Sequence, residues 1–446
     1  MQLSGGVHLS AAKQMVGSTA LMSEDILLAG YSTFVGLSLC FVAVPRLMRR
    51  FTLSTSIIIC ASVLMFCNFA ICFANTSIVV IACCFFAGFF RMWACFICNN
   101  NLRSVIAAGN NWPVWFCYLY FMLDTMIQIG GFAEGYVAIT SNWWYFNIVI
   151  GCLQAVVIVS TLIFFRHPDA AQTDKSAFKG FDYFGGALWA VSLFCLIYMC
   201  VFGGKYHWLS GWQIRLAACI AAVSIAVDIW HTRKTPNPFI SLTILRNPAI
   251  MLIVAIFCAM YILLSPCHSV EHAYTAQLGY TDLQVLMLNI PVFVGATLGC
   301  LYCFLTIRRK AAWVSQPMIF VGFGALALYE VLMYLFIGAE RHLFNLPLFF
   351  RGFGEAIIWV SLLTRLTKLN IPPQLFPQAL SVSMLSSLVL GGVITSSMMN
   401  NIYTYRLSSA TLTMQQIYGV LTIVALGLLF LGITLRIYLV HKRSLY

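Results

Sequence analysis

Apolar runs of about 20 residues recur along nearly the whole chain, and this repetition constrains the fold more than any motif does. A run of that length, rising about 1.5 Å per residue as an α-helix, crosses the roughly 30 Å hydrocarbon core of a bilayer. The chain has 446 residues, 61% hydrophobic and only 9% charged, which excludes a soluble enzyme. Strands of a membrane β-barrel alternate over about ten residues, whereas these runs are continuous and contain Gly and Pro. The class is therefore an all-α polytopic membrane protein in a lipid bilayer. Thirteen spans are predicted, at about 26–44, 55–73, 78–99, 113–138, 145–165, 182–203 and 212–230, then about 248–266, 283–306, 315–337, 345–364, 378–402 and 414–440.

The loops set the orientation. Seventeen lysines and arginines lie in one alternate set of loops, among them Arg46, Arg49, Arg50, Lys175, Lys179, Arg233, Lys234 and Lys442; only Lys13, Lys205, Arg341 and Arg406 lie in the other. The positive-inside rule then places the C-terminus in the cytoplasm and, with an odd span count, the N-terminus outside. The net charge of +12 is spent on topology, so no nucleic-acid partner is expected. The 17 cysteines sit in apolar segments at spacings that suit neither a disulfide framework nor a metal site, and read as small packing residues. The first 24 residues lack a basic start and an apolar core, so no signal peptide is expected. His268-Ser269-Val270-Glu271-His272 matches a zinc-hydrolase pattern. It lies in a short loop with no third ligand in view, and a solvated loop is the reading adopted. Neither a metal nor a cofactor is expected, and no Walker-type loop points to ATP.

Charges inside the runs carry the functional reading. In Phe349-Phe350-Arg351-Gly352-Phe353-Gly354-Glu355, Arg351 and Glu355 share one helix face. The same tripeptide recurs as Phe89-Phe90-Arg91. An ionisable group within a span costs about 2.5–3.5 kcal/mol on insertion scales and usually faces the bundle interior or water. Two such arginines suggest a duplicated bundle with an internal polar path; the plainer alternative is a pair that only pins neighbouring helices. Asp124, about eleven residues into its span, is the expected counter-ion of Arg91. Asp124, Gln128 and Gly131 recur at i, i+4 and i+7 and make one polar, small face. Glu134 lies further along that helix, and Glu330 is expected to reach the Arg351–Glu355 pair. Arg91, Asp124, Gln128, Glu134, Glu330, Arg351 and Glu355 are the candidate substrate and proton pathway. Trp93, Phe353 and Trp359 are candidate substrate contacts, with core packing the commoner fate of such residues.

Several stretches match one family in order and spacing: Phe181-Asp182-Tyr183-Phe184-Gly185, Gly203-Gly204-Lys205-Tyr206-His207-Trp208, Leu245-Arg246-Asn247-Pro248, and Leu278-Gly279-Tyr280-Thr281-Asp282-Leu283-Gln284 before Pro291. From about residue 25 to the end the chain resembles the fourteen-span drug:proton antiporter (EmrB/QacA-type) branch of the major facilitator superfamily. The resemblance implies two helical bundles with two extra linking helices. Residues 1–165 would form a five-span N-terminal bundle lacking its first helix, 166–247 the inner loops and two extra helices, and 248–446 a six-span C-terminal bundle. Residues 1–23 would then be a tail and outer loop. Arg91 and Arg351 would hold equivalent positions in the fourth helix of each bundle. The family's first inner loop, G-x-L-A-D-R-x-G-R, is here Pro45-Arg46-Leu47-Met48-Arg49-Arg50-Phe51-Thr52, without its glycines and acidic residue, and Gln-Gly after the arginine is replaced by Met92-Trp93.

Together these readings make the chain a secondary active transporter of the bacterial inner membrane, not an enzyme. It would export amphipathic or apolar small molecules, coupled to protons, by alternating access. In two-membrane bacteria the resemblance adds a periplasmic adaptor and an outer-membrane channel as partners. Two alternatives stand beside it: a small-solute importer of the same fold, and a membrane sensor or assembly protein that does not transport.

Overall fold

The computed structural model describes residues 1–4, 11–19, 21–106, 111–165, 174–266, 275, 278–309, 317–337, 340–369, 371–372, 375–405 and 410–444. The histidine motif at 268–272 lies outside them. The helices are α1 Ala12–Ser18, α2 Ser23–Arg50, α3 Leu53–Cys72, α4 Ser77–Ile106, α5 Trp112–Thr140, α6 Trp143–Phe164, α7 Tyr183–Phe202, α8 Trp212–Lys234 and α9 Leu242–Leu245. They continue as α10 Pro248–Leu263, α11 Asp282–Leu286, α12 Asn289–Arg309, α13 Pro317–Leu335, α14 Arg341–Thr367, α15 Phe376–Leu385, a π-helical stretch Ser386–Ile394, α16 Thr395–Tyr405 and α17 Ala410–Ser444.

Among the described residues, twelve helical segments are long and apolar enough to cross a membrane. The thirteenth expected span, at 248–266, is a shorter helix of 16 residues, Pro248–Leu263. At about 1.5 Å per residue it reaches only about 24 Å. Its start is fixed by Asn247, whose Oδ1 accepts the Ala249 amide at 3.0 Å. Its end falls before Pro266, which lacks an amide proton and biases Ser265 away from helical angles. The span expected at 283–306 is interrupted at Met287–Leu288, where the ladder gives way to Leu288 N–H to Val285 O and Ile290 N–H to Met287 O bonds. Pro291 follows at once, and removes the donor that would have continued the helix.

The chain divides into two compact units that interleave along the sequence. The first comprises Met1–Val105, Ile129–Ala255 and Ile371–Asn401; the second comprises Ile106–Gln128, Ile256–Asn370 and Ile402–Tyr446.

In the first unit α2 is the central helix. Without water to drive apolar burial, helices in lipid associate through close packing and interhelical hydrogen bonds. A Cβ on Gly36 would lie 2.0 Å from the Phe85 carbonyl oxygen, and one on Gly88 2.0 Å from that of Thr33, so the backbones of α2 and α4 touch. Ser32 Oγ adds a bond to the Ile81 carbonyl at 3.0 Å. Leu28, Tyr31 and Val35 of α2 share one core with Leu193, Ile197 and Val201 of α7 and with Val389 and Val393 of the π-helical stretch. Of residues 1–23, expected as a tail and outer loop, the described ones at 1–4 and 11–19 pack into this unit. Ala11 and Met15 are buried with Leu64, Cys67 and Trp143, Trp143 Nε1 donates to Ser18 Oγ at 2.8 Å, and Asn68 bonds Ser4. The apolar face of α1 supplies the reason.

The α7–α8 hairpin is pinned at its basic end by Asp182. Its Oδ1 accepts the Gly185 amide at 2.8 Å as the N-cap of α7, and lies 2.8 Å from His231 Nε2 of α8. Its Oδ2 accepts the Phe239 amide at 3.0 Å. Burial raises the Asp182 carboxyl, but the bonds from Gly185, His231 and Phe239 outweigh it and hold the group below the usual carboxylate range. A carboxylate lowered on folding contributes stability that is fully present above its unfolded value, near 3.9, and is lost as the pH falls through the folded one. Asp182→Ala is therefore expected to cost about 1–2 kcal/mol near pH 7 through loss of the cap. In thermal-unfolding scans the gap to wild type should close below about pH 4; a gap constant from pH 7 to 3 would refute the charge's part in it.

In the second unit α12 and α14 repeat the α2–α4 geometry. A Cβ on Gly295 would lie 2.1 Å from the Phe349 carbonyl oxygen, and one on Gly352 2.0 Å from that of Val292. On the opposite side of α14, Gly354 meets the Gly322 carbonyl and Leu326 of α13. Tyr329 of α13 and Tyr418 of α17, both buried, place their hydroxyls 3.3 Å apart.

Candidate functional site

The glycine contacts fix the register of the internal repeat. Gly36 meets Phe85 O and Phe89 N, and Gly295 meets Phe349 O and Phe353 N; Gly88 answers with Thr33, and Gly352 with Val292. Gly88 thus corresponds to Gly352, which sets Arg91 against Glu355 and Arg351 against Ala87. The expected equivalence of Arg91 and Arg351 is displaced by one helical turn. The shared tripeptide misleads because the constraint lies in the backbone approach of two helices, which only glycine allows, and not in the phenylalanines.

Within the second unit, two stripes at helical spacing come together. On α5 they are Tyr120, Asp124 and Gln128; on α14, Arg351, Glu355 and Trp359. The Tyr120 ring sits 5.0 Å from that of Trp359, and its hydroxyl donates to the Glu355 carboxylate. Asp124 and Arg351 both interact electrostatically with Glu355. Gln128 Nε2 donates to Asp124 Oδ1 at 3.3 Å. The order along the two helices, 120 to 359 and 124 to 351–355, makes them antiparallel here. Among the described residues the cation that acts electrostatically on Asp124 is Arg351, where Arg91 was expected. Arg351 is 3% exposed, so this charge is deep in protein.

The other candidates divide. Glu330, fully buried, lies on the α13 stripe Gly322–Leu326–Glu330; because Gly322 meets Ile358 and Gly354 while Leu326 meets Gly354, one further turn carries Glu330 to the level of Phe350–Arg351. Phe353 stacks on Phe349 with centroids 6.0 Å apart and meets Tyr302 at 5.9 Å. Glu134 is buried in the first unit. So is Trp93, wedged between Phe51 at 5.6 Å and Phe90 at 5.9 Å in a core with Cys40, Val44 and Cys60; its surroundings are those of a packing residue. Gly130, beside the Asp124 stripe's end, is met by Leu3 of the N-terminal segment, 3.3 Å from where a Cβ would stand. Sequence reasoning missed Tyr120, which stands one turn before Asp124 on the same face, and Tyr261 and Cys300, which approach Tyr120. The i−4 spacing was the signal for the first. Nothing in the sequence marks the other two.

No family profile matches the sequence. The fold has many relatives among solved structures. A POT-family peptide transporter in complex with sulfate aligns with a TM-score of 0.66 at 14% identity, covering 98% of this chain and 93% of that one. Tetrameric PepTSo2 aligns at 0.62 and 12%, covering 100% and 96%. The proton:xylose symporter XylE, a major facilitator superfamily protein, aligns at 0.56 and 12%, covering 95% and 91%. The chain has the major facilitator fold. The POT-family protein and XylE are transporters. In sequence, the multidrug resistance protein Stp of two Mycobacterium tuberculosis strains is 27% identical over 118 residues. That match takes in 26% of this chain, and the chain spans about a fifth of the length of these curated relatives.

Proposed function

We propose that the chain is a proton-coupled secondary transporter that exports amphipathic or apolar small molecules by alternating access. The observation that carries this reading is one buried guanidinium, Arg351, serving two carboxylates, Asp124 and Glu355, on facing helices. Arg351, Asp124 and Glu355 by themselves are neutral with one proton bound and carry one negative charge with none. A dry site favours the neutral state and a wet one tolerates the charge, so a change of water access loads or releases one proton. Tyr120 and Trp359 line the same place with aromatic surface suited to an apolar compound. Gln128, Glu330 and Phe353 complete the site, while Arg91 and Glu134 would serve the path in the first unit.

The family likeness in sequence and the local similarity to Stp support the drug:proton antiporter branch and the outward direction. The basic loops support a bacterial inner membrane with the C-terminus in the cytoplasm, and three sequential parts, 1–165, 166–247 and 248–446. A periplasmic adaptor and outer-membrane channel would complete the export path.

The test is proton release when candidate compounds are added to detergent-purified protein. Wild type should release protons with at least one lipophilic compound, and Asp124→Asn should abolish that release. Release that persists in both Asp124→Asn and Glu355→Gln would remove this cluster from the mechanism, and no release with any compound would end the claim of coupling.

A further inference from the structure

The first unit carries a feature that transport does not use. An open cleft of about 440 Å3 lies between residues 180–184, where α7 begins, and residues 235–237, just past the end of α8. Its walls are largely aromatic: Tyr183 is 64% exposed and Phe184 53% exposed. The one carboxylate in the lining, Asp182, is turned inward and engaged by Gly185, His231 and Phe239. Exposed basic residues precede both walls in the chain: Lys179 comes just before Gly180, and Arg233 and Lys234 just before Thr235. The Lys234 ammonium lies 4.0 Å from the Trp230 ring centroid, and Trp230 is itself 57% exposed, an aromatic and basic pairing suited to the bilayer interface. From behind, the Arg46 guanidinium covers the Phe181 ring at 4.8 Å. Two further acids lie near in the chain. Asp174 is bonded to Ser176, and Asp228 lies half-buried on α8 beside Asp182 and His231.

We infer that this cleft binds an anionic phospholipid, its phosphate among Lys179, Arg233 and Lys234 and its apolar body against Tyr183 and Phe184. Three features together select that ligand. Three cations adjoin the cleft along the chain while its lining carboxylate is internally bonded, the walls are largely aromatic, and the site stands at the ends of two membrane-crossing helices on the basic side of the chain. Juxtamembrane basic clusters attract anionic lipid at each added Lys or Arg. A free phosphate would use the cations and leave the aromatic floor empty.

The test uses the purified full chain, with lipid retention read by native mass spectrometry against phosphatidylglycerol and phosphatidylcholine vesicles, with and without inorganic phosphate. Wild type should retain phosphatidylglycerol preferentially and keep it when phosphate is added. Lys179→Gln/Lys234→Gln should reduce that preference on the order of tenfold, with Lys205→Gln, in the other loop set, leaving it unchanged. If Lys234→Gln unseats the end of α8, Lys179→Gln/Arg233→Gln carries the same comparison. Equal retention of the two lipids, unchanged preference in the double variants, or displacement by inorganic phosphate would each overturn the assignment.

Discussion

Gly88→Ala and Gly352→Ala are each expected to abolish recovery of monodisperse protein. Each added methyl group would sit 2.0 Å from a backbone carbonyl oxygen of the facing helix, Thr33 in one case and Val292 in the other. A backbone oxygen cannot rotate aside as a side chain can, so the two helices must part along their whole contact. Losses above about 4 kcal/mol arise from a short set of causes, overpacking of a core among them, and helix contacts in lipid depend on just this close approach. Gly324→Ala and Gly427→Ala are the controls. Nothing lies within 4 Å of either position, and alanine in a helix should be neutral or stabilising by up to about 1 kcal/mol. Size-exclusion profiles of the four variants decide the matter. Recovery of Gly352→Ala at wild-type yield would mean that α12 and α14 do not meet as described.

Arg351→Gln should produce the second large effect, a loss of about 3–5 kcal/mol, because it strands two carboxylates in protein. Adding Glu355→Gln to it removes one of those charges and should restore part of the loss. The coupling between the two substitutions is expected to exceed about 1 kcal/mol, read from thermal midpoints of wild type, both single variants and the double. Effects that simply add would separate Arg351 from Glu355. Arg351→Lys should not rescue fully, since a single ammonium cannot present the guanidinium's fork of donors to two acceptors.

Much of the architecture was legible in apolar run length, because the bilayer imposes one length on every helix that crosses it. Where the reading failed, a local cause can be named. Pro266 cuts α10 short, and the apolar side of α1 draws the described N-terminal residues into the first unit. The site was half legible. Intramembrane Asp124, Arg351 and Glu355 announce themselves by their cost, and the structure brings these three together. Their pairing did not show, since a sequence gives depth along a helix but not which helix stands opposite. The Phe-Phe-Arg repeat drew Arg91 to Arg351, whereas Gly36, Gly88, Gly295 and Gly352 hold the true register. Asp182 was noted only as part of a family motif; its work as a junction of α7, α8 and the segment reaching Phe239 depends on contacts 49 and 57 residues away.

The π-helical stretch Ser386–Ile394 has its own arithmetic. Each π turn holds one residue more than an α turn, and one residue in an α-helix is worth about 100° of rotation. Everything beyond Ile394 is therefore turned relative to an uninterrupted helix, and that turn aims Asn401 at the Cys200 carbonyl of α7, while Val389 and Val393 stay in the α2–α7 core. The segment behaves as a spacer inserted in the helix. Deleting one residue there would give a more regular backbone and a worse protein, with Asn401 swung away from its partner.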